Sequence, residues 1–267
     1  ASKTMLEDQF VQVFEQIRDF MISDFNGNRK YQLADIHVIG GEPTMLGYAF
    51  YERTISKVKE ILSEIPQQYQ LCLVSNLITP EALKIARLFD IVSTSYEIDT
   101  RFVSASGKAK PALEKKWVEN VKALKEDGPE VNVTMAVTKQ AVDFGAANIL
   151  EYFFENGFRG IHLGFFIPSG DGLIYIDSVF PLFEETSKFM IEATDWYLER
   201  RMIHKDLWVN PIESMIESIY HNKPMDDIVC PIIPGSLDID WDGSTVTCIE
   251  AGGEIDGKQV DASLVQR

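Results

Sequence analysis

The stretch HVIGGEPTM, residues 37–45, decides how this chain is read. Two apolar residues that can end a buried strand run into Gly40-Gly41, then a carboxylate, then a proline. In parallel α/β sheets ligands gather at the carboxyl ends of the strands. Glycines at such an end let a ligand approach the backbone closely, and Glu42 beside them favours a cationic group such as a protonated amine. IGGEP is therefore a candidate site for an amino-acid-like ligand. The alternative is a tight strand-to-helix turn in which Pro43 limits the backbone and Glu42 is solvated.

Outward from this stretch, helix and strand patterns alternate, which favours a parallel sheet with helical crossovers. Residues 5–23 carry apolar positions at helical spacing, and IHVIG at 36–40 is a short strand. A helix follows at 47–64, then a strand, LCLVSN, at 71–76. TPEALKIARLF opens the next helix with Thr79 as cap and Pro80 at its first position. Further strands are expected at 91–97, 131–138 and 160–168, with helices at 111–126 and over ANILEYFFENG, closed by Gly157. Amphipathic segments follow at 181–203 and 210–221. Five strands in βα order imply a curved, barrel-like sheet whose first unit has lost its strand. Something is expected to cover that open edge.

The tail differs. SLDIDWDGSTVTC, residues 236–248, alternates around Asp242-Gly243, a dipeptide suited to a two-residue hairpin loop that would pair Trp241 with Ser244. The expected organisation is a barrel over 1–203, a helical connector over 204–227 and a hairpin appendage over 228–267.

A net charge of −16 argues against a broad nucleic-acid surface or a polybasic membrane patch. No apolar run has the length of a membrane span, no signal-peptide pattern opens the chain, and three cysteines are too few for a disulfide scaffold, so the cytoplasm is the expected compartment. Cys72, within an apolar strand, reads as a buried thiol.

VIGGEPTM at the second strand position resembles the GGEP motif of the radical S-adenosylmethionine (SAM) enzymes. LVSNLI (73–78), STSYEID (93–99), VNVTMAVTK (131–139) and GIHLGFFIPSG (160–170) fall where the following strands of that family lie. Cys230, Gly243 and Cys248, as C-x12-G-x4-C, resemble the opening half of a SPASM or twitch appendage; a free thiol pair or a disulfide are the alternatives.

This resemblance implies an α/β fold: a partial (β/α)6 TIM-like barrel of parallel strands with a small C-terminal β-hairpin appendage. It implies that Glu42 accepts the SAM ammonium, shared with the carbonyls of Gly40 and Gly41 and set by Pro43. Ser95 and Glu97 would take the ribose hydroxyls or the carboxylate region, Asn76 would line the cavity, and Phe166 and Ile167 would wall the adenine. It also implies a [4Fe-4S] cluster, an auxiliary iron–sulfur cluster on Cys230 and Cys248, a peptide or protein substrate and an electron donor such as flavodoxin or ferredoxin. No nucleic-acid or membrane partner is expected. The activity implied is cleavage of SAM to a 5′-deoxyadenosyl radical that modifies a peptide side chain.

The family's C-x3-C-x2-C loop is absent from these residues, and the second half of the SPASM cysteine set would fall beyond Val260. The expectation is that these ligands lie outside the given chain. In the fourth strand Glu97 replaces the family's aspartate and Ile98 its glycine, while Arg101 lies closer than the usual arginine. Two other classes stay open: a clusterless scaffold that binds SAM or a peptide without radical chemistry, and a metal-dependent barrel hydrolase using His37 and His162.

Overall fold

The structure is a computed structural model; it describes residues 4–26, 33–98, 101–103, 108–166, 175–222, 238–246, 254–255 and 258–259. Six strands form one sheet in the order β1 to β6, every neighbouring pair parallel: β1 (Leu33–Val38), β2 (Gln68–Val74), β3 (Ile91–Ser95), β4 (Glu130–Val137), β5 (Gly160–Phe165) and β6 (Trp208–Asn210). Because β6 does not return to pair with β1, the barrel is partial. This is the architecture implied by the alternating pattern.

Alternation along β4 shows how the sheet divides inside from outside. Val131, Val133, Met135 and Val137 are buried, while Asn132, Thr134 and Ala136 between them are half-buried. Successive strand side chains point to opposite faces, so one face is apolar and one is polar. Register carries both faces across the sheet. Ser95, Thr134, His162 and Asn210 stand at one level of the polar, concave face, with Ser93, Asn132, Gly160 and Trp208 one level below.

Helices cover the apolar face. α1 (Glu7–Asn26) and α2 (Tyr48–Leu62) pack together at one end, where Phe10, Phe14, Phe50, Tyr51 and Phe89 meet edge to face. α3 (Ala82–Ala86) and α4 (Pro111–Asp127) come next, and α4 buries Trp117 completely. A buried indole needs an acceptor, and Trp117 Nε1 donates to the buried Thr94 Oγ1 at 3.0 Å. α5 (Lys139–Phe144), α6 (Ala146–Glu155), α7 (Ile176–Val179) and α8 (Phe183–Arg201) follow, and α9 (Ile212–Tyr220) comes directly after β6. Gly157, at φ +97°, ends α6 as expected.

Three expectations are corrected. A sixth strand, β6, lies inside the segment expected to be a helical connector and pairs with β5. The Thr79-Pro80 cap is not used: α3 starts after Glu81 and lacks a side-chain cap bond. Thr79's hydroxyl instead meets Thr44 at 2.7 Å. The hairpin around Asp242-Gly243 has a three-residue loop, since Ile239 pairs with Thr245 and Asp240 N–H donates to the Ser244 carbonyl. Only Gly243 takes a positive φ there, +83°, so the register is one residue from that of a two-residue loop. Among the described residues β1 pairs with β2 alone.

Gly160 is fixed by its neighbours. A Cβ there would stand 1.9 Å from Asn132 Oδ1 and 2.5 Å from Trp208 Cζ2, so glycine is what lets Asn132 lie across β5.

Candidate functional site

β1 ends at Val38, and the chain bends through Gly40-Gly41 into a 3-10 turn, Pro43–Leu46, capped by Glu42. Neither glycine is demanded by the fold: neither has a left-handed φ, and a Cβ on either would meet nothing within 4 Å. The space beside this backbone is therefore open. Pro43 is buried, and its carbonyl accepts from Tyr51 Oη at 3.0 Å, so it anchors the turn on α2.

Glu42 is half-buried, and its carboxylate is held by neutral donors. Its Oε1 accepts from Thr44 N at 3.2 Å, Thr44 Oγ1 at 2.5 Å and Ser75 Oγ at 2.9 Å. Its Oε2 accepts from Asn76 N at 2.8 Å. Among the described residues no cationic side chain pairs with it. The solvated Glu42 of the tight-turn alternative is thus overturned. An anion in this position, fixed by dipoles and without a counter-charge, favours a cation in the space it faces.

That space is an open pocket of about 360 Å³ lined by Gly41, Glu42, Asn76, Ile78, Glu97, Arg101 and Phe102. β1, β2 and β3 each deliver part of it at their carboxyl ends. Asn76 lines it while its Oδ1 accepts from Ile78 N at 2.9 Å. Glu97 pairs with Arg101 at 3.6 Å; burial raises its carboxyl pKa, and the Arg101 guanidinium works the other way.

Of the residues singled out from the sequence, Gly41, Glu42, Asn76 and Glu97 come together here, with Gly40 next to them in the chain. Ser95 does not line this pocket; it is the last residue of β3, level with Thr134. Phe166 packs against Phe180 with ring centroids 6.1 Å apart. Ile167, Cys230 and Cys248 lie outside the described residues. The sequence did not single out Thr44, Ser75, Ile78 or Phe102, and gave Arg101 no role. The available signal was a hydroxyl beside each motif: Thr44 directly after Pro43, and Ser75 directly before Asn76.

The two strand histidines lie apart. His37 Nε2 sits 3.0 Å from Asp35 Oδ2, and that bond raises its pKa; burial lowers the pKa of His162 on β5. Among the described residues no group of three His, Cys, Asp or Glu side chains is placed to hold a metal ion. Cys72 is buried, its thiol pushed up to about 12 by burial.

No family model matches this chain, and no curated protein matches it in sequence. Solved structures match it in fold. Native anSMEcpe with bound AdoMet aligns at a TM-score of 0.61 and 16% identity, over 88% of this chain and 64% of that one. The complex of anSMEcpe with AdoMet and the Kp18Cys peptide gives 0.60 and 15%, over 95% and 71%. Streptococcus suis SuiB bound to precursor peptide SuiA gives 0.55 and 11%, over 95% and 57%. This chain is thus similar in fold to proteins solved with AdoMet or with peptides, and it spans 64% of the length of the first. The partial barrel is the fold they share.

No helix among the described residues is long and apolar enough to cross a membrane.

Proposed function

We propose that this chain is the SAM-binding barrel of a radical SAM enzyme that modifies a peptide or protein side chain. The observation that carries this is the bare Gly40-Gly41 backbone beside a Glu42 carboxylate with which no cationic side chain among the described residues pairs, Gly41 and Glu42 lining one pocket. A SAM ammonium fits there, on Glu42 Oε2 and the carbonyls of Gly40 and Gly41. Glu97 and Arg101 supply an anion and a cation on the facing wall, and Ile78 and Phe102 supply apolar surface. Ser95 and Glu97 serve the ribose or carboxylate region, and Ile167 the adenine. The fold likeness to AdoMet-bound anSMEcpe and peptide-bound SuiB supports both ligand classes.

The described residues do not fit an iron–sulfur cluster. Such clusters are held by thiolates, and Cys72, the one described cysteine, is buried with its thiol protonated well above neutral pH. The described residues are therefore assigned to SAM alone. In this proposal the cluster's ligands lie outside them, Cys230 and Cys248 serve an auxiliary cluster, and flavodoxin or ferredoxin supplies electrons.

The test is to purify the product of the complete reading frame without oxygen, then measure iron, labile sulfide and SAM binding. About four iron and four sulfide per chain, or a multiple, with SAM binding weakened in Glu42→Gln, is the expected result. SAM binding without iron, even after anaerobic reconstitution, overturns the radical chemistry and leaves a clusterless SAM-binding scaffold. No SAM binding overturns the site itself.

A further inference from the structure

Glu42 is not held by its own turn alone. Its Oε1 takes three donors, and two of them, the hydroxyls of Thr44 and Ser75, belong to residues only 3% exposed. Thr44 has one hydroxyl proton, and it is directed to Glu42; the Thr79 hydroxyl must then donate to Thr44 across their 2.7 Å contact. Ser75 works in both directions: its Oγ donates to Glu42 and accepts from Leu77 N at 3.1 Å.

Leu77 is the reason this matters. It is fully buried at φ +57°, the left-handed region that a branched apolar residue rarely enters. Bonds from α4 and to Glu42 fix the loop there from several sides. Asn120 Nδ2 donates to the Leu77 carbonyl at 2.6 Å, Lys116 Nζ to the Ile78 carbonyl at 2.9 Å, and Asn76 N–H to Glu42 Oε2. A strained backbone persists only where its surroundings over-determine it. Here the over-determination runs through Ser75 to the carboxylate of a different loop.

We infer that Ser75, Thr44 and Thr79 are positioning residues for Glu42: they saturate Oε1 and lock the carboxylate so that Oε2, with one donor only, offers its remaining acceptor capacity to a ligand ammonium. This rests on the SAM reading of the pocket. An unrestrained glutamate would lose rotamer freedom each time the ligand binds; here that ordering is already present in the fold.

The experiment compares calorimetric binding of SAM and of a SAM analogue lacking the amino group, on anaerobic, cluster-loaded protein from the complete reading frame. Wild-type protein prefers SAM. Ser75→Ala and the near-isosteric Thr44→Val each weaken SAM about tenfold, the value of one hydrogen bond to a charged group, and leave the amine-free analogue within about twofold. Thr44→Ser, which keeps the hydroxyl, restores SAM affinity. In a Glu42→Gln background, Ser75→Ala has no further effect on the SAM-to-analogue ratio. Equal losses for both ligands mean that the pocket has merely loosened, and unchanged SAM affinity means that the clamp is idle; either overturns the inference. Wild-type protein that fails to distinguish the two ligands overturns the underlying assignment of Glu42 instead.

Discussion

Replacing Glu42 with glutamine tests the site at its centre. The carboxylate accepts four hydrogen bonds, three at Oε1 and one at Oε2. A glutamine side chain has one acceptor oxygen. Placed at the Oε1 position, that oxygen keeps three donors, but the amide NH2 then faces Asn76 N–H across 2.8 Å, donor against donor. Placed the other way, it satisfies Asn76 and strands Ser75 and both donors of Thr44. The first arrangement is the cheaper one: it loses one charge-assisted bond and leaves a part-buried N–H unpaired, about 2–4 kcal/mol in all. At about 2–4 °C per kcal/mol for a domain of this size, the melting temperature should fall by roughly 4–16 °C. Urea unfolding should show a lower midpoint with an unchanged slope. Glu119→Gln, which removes an exposed ion pair with Lys115 at 3.8 Å, is the control and should cost under about 0.5 kcal/mol. A Glu42→Gln loss no larger than that of the control would show that the carboxylate is solvated and the network unformed, and would refute the reasoning.

Three further outcomes are expected. Gly41→Ala should leave stability unchanged or raise it by about 0.4–1 kcal/mol, because no clash or left-handed φ opposes the methyl group, yet SAM affinity should fall at least tenfold; loss of both together would show that the glycine serves the fold. Cys72 should resist alkylation at pH 8 in native protein and label rapidly in urea, as followed by mass spectrometry of its peptide, since burial pushes its thiol to about 12; fast native labelling would contradict the core placement. Asp35 raises the pKa of His37 in the folded state, so the pair's contribution is full below the unfolded histidine value of about 6.5 and is lost as pH rises through the folded value. Asp35→Asn should therefore destabilise at pH 5.5 and be neutral at pH 9, by under about 1 kcal/mol because both side chains are about half exposed; a pH-independent loss would contradict the pairing.

What the sequence made legible follows from how strongly each element is determined locally. β1 to β5 are runs of apolar and β-branched residues long enough to read by themselves, and their alternation with helices dictates a parallel sheet. β6 is three residues, Trp208–Asn210, and no periodicity can be read from three. Its place is set from outside, by pairing with β5 where Gly160 makes room for Asn132 and Trp208. The hairpin shows a subtler limit. Asp242-Gly243 announces a turn, but the loop length depends on which residue pairs with Ser244, and Asp242 Oδ1 accepting from Ser244 N at 2.9 Å favours the longer loop.

The site divides in the same way. GGEP could be read because its residue types are unusual at a strand end, and that gave Glu42 and both glycines. Thr44 and Ser75 were unremarkable in sequence, and Thr79 was read as a cap, because a hydroxyl has no meaning until its partner is known. Thr79 illustrates the point: beside Pro80 it resembles a helix cap, and only the approach of the turn after Glu42 claims its hydroxyl for Thr44.

The charges of the pocket make sense only when counted together. Two carboxylates line it, and they are treated differently. Glu97 has a cation of its own, since Arg101 lies 3.6 Å away. Glu42, among the described residues, has only dipoles: two hydroxyls and two backbone N–H groups. Dipoles can hold a carboxylate in place and still leave its formal charge uncompensated, whereas an arginine at the same distance would have neutralised it. A fold that needed Glu42 only as a cap for a 3-10 turn had no reason to recruit Ser75 and Asn76 from another strand end, or to keep a buried Leu77 at φ +57° in doing so. The network fixes the direction of the negative charge and leaves its neutralisation to whatever enters the pocket, which is why the amine of the ligand, rather than its nucleoside, is the group on which the decisive binding comparison turns.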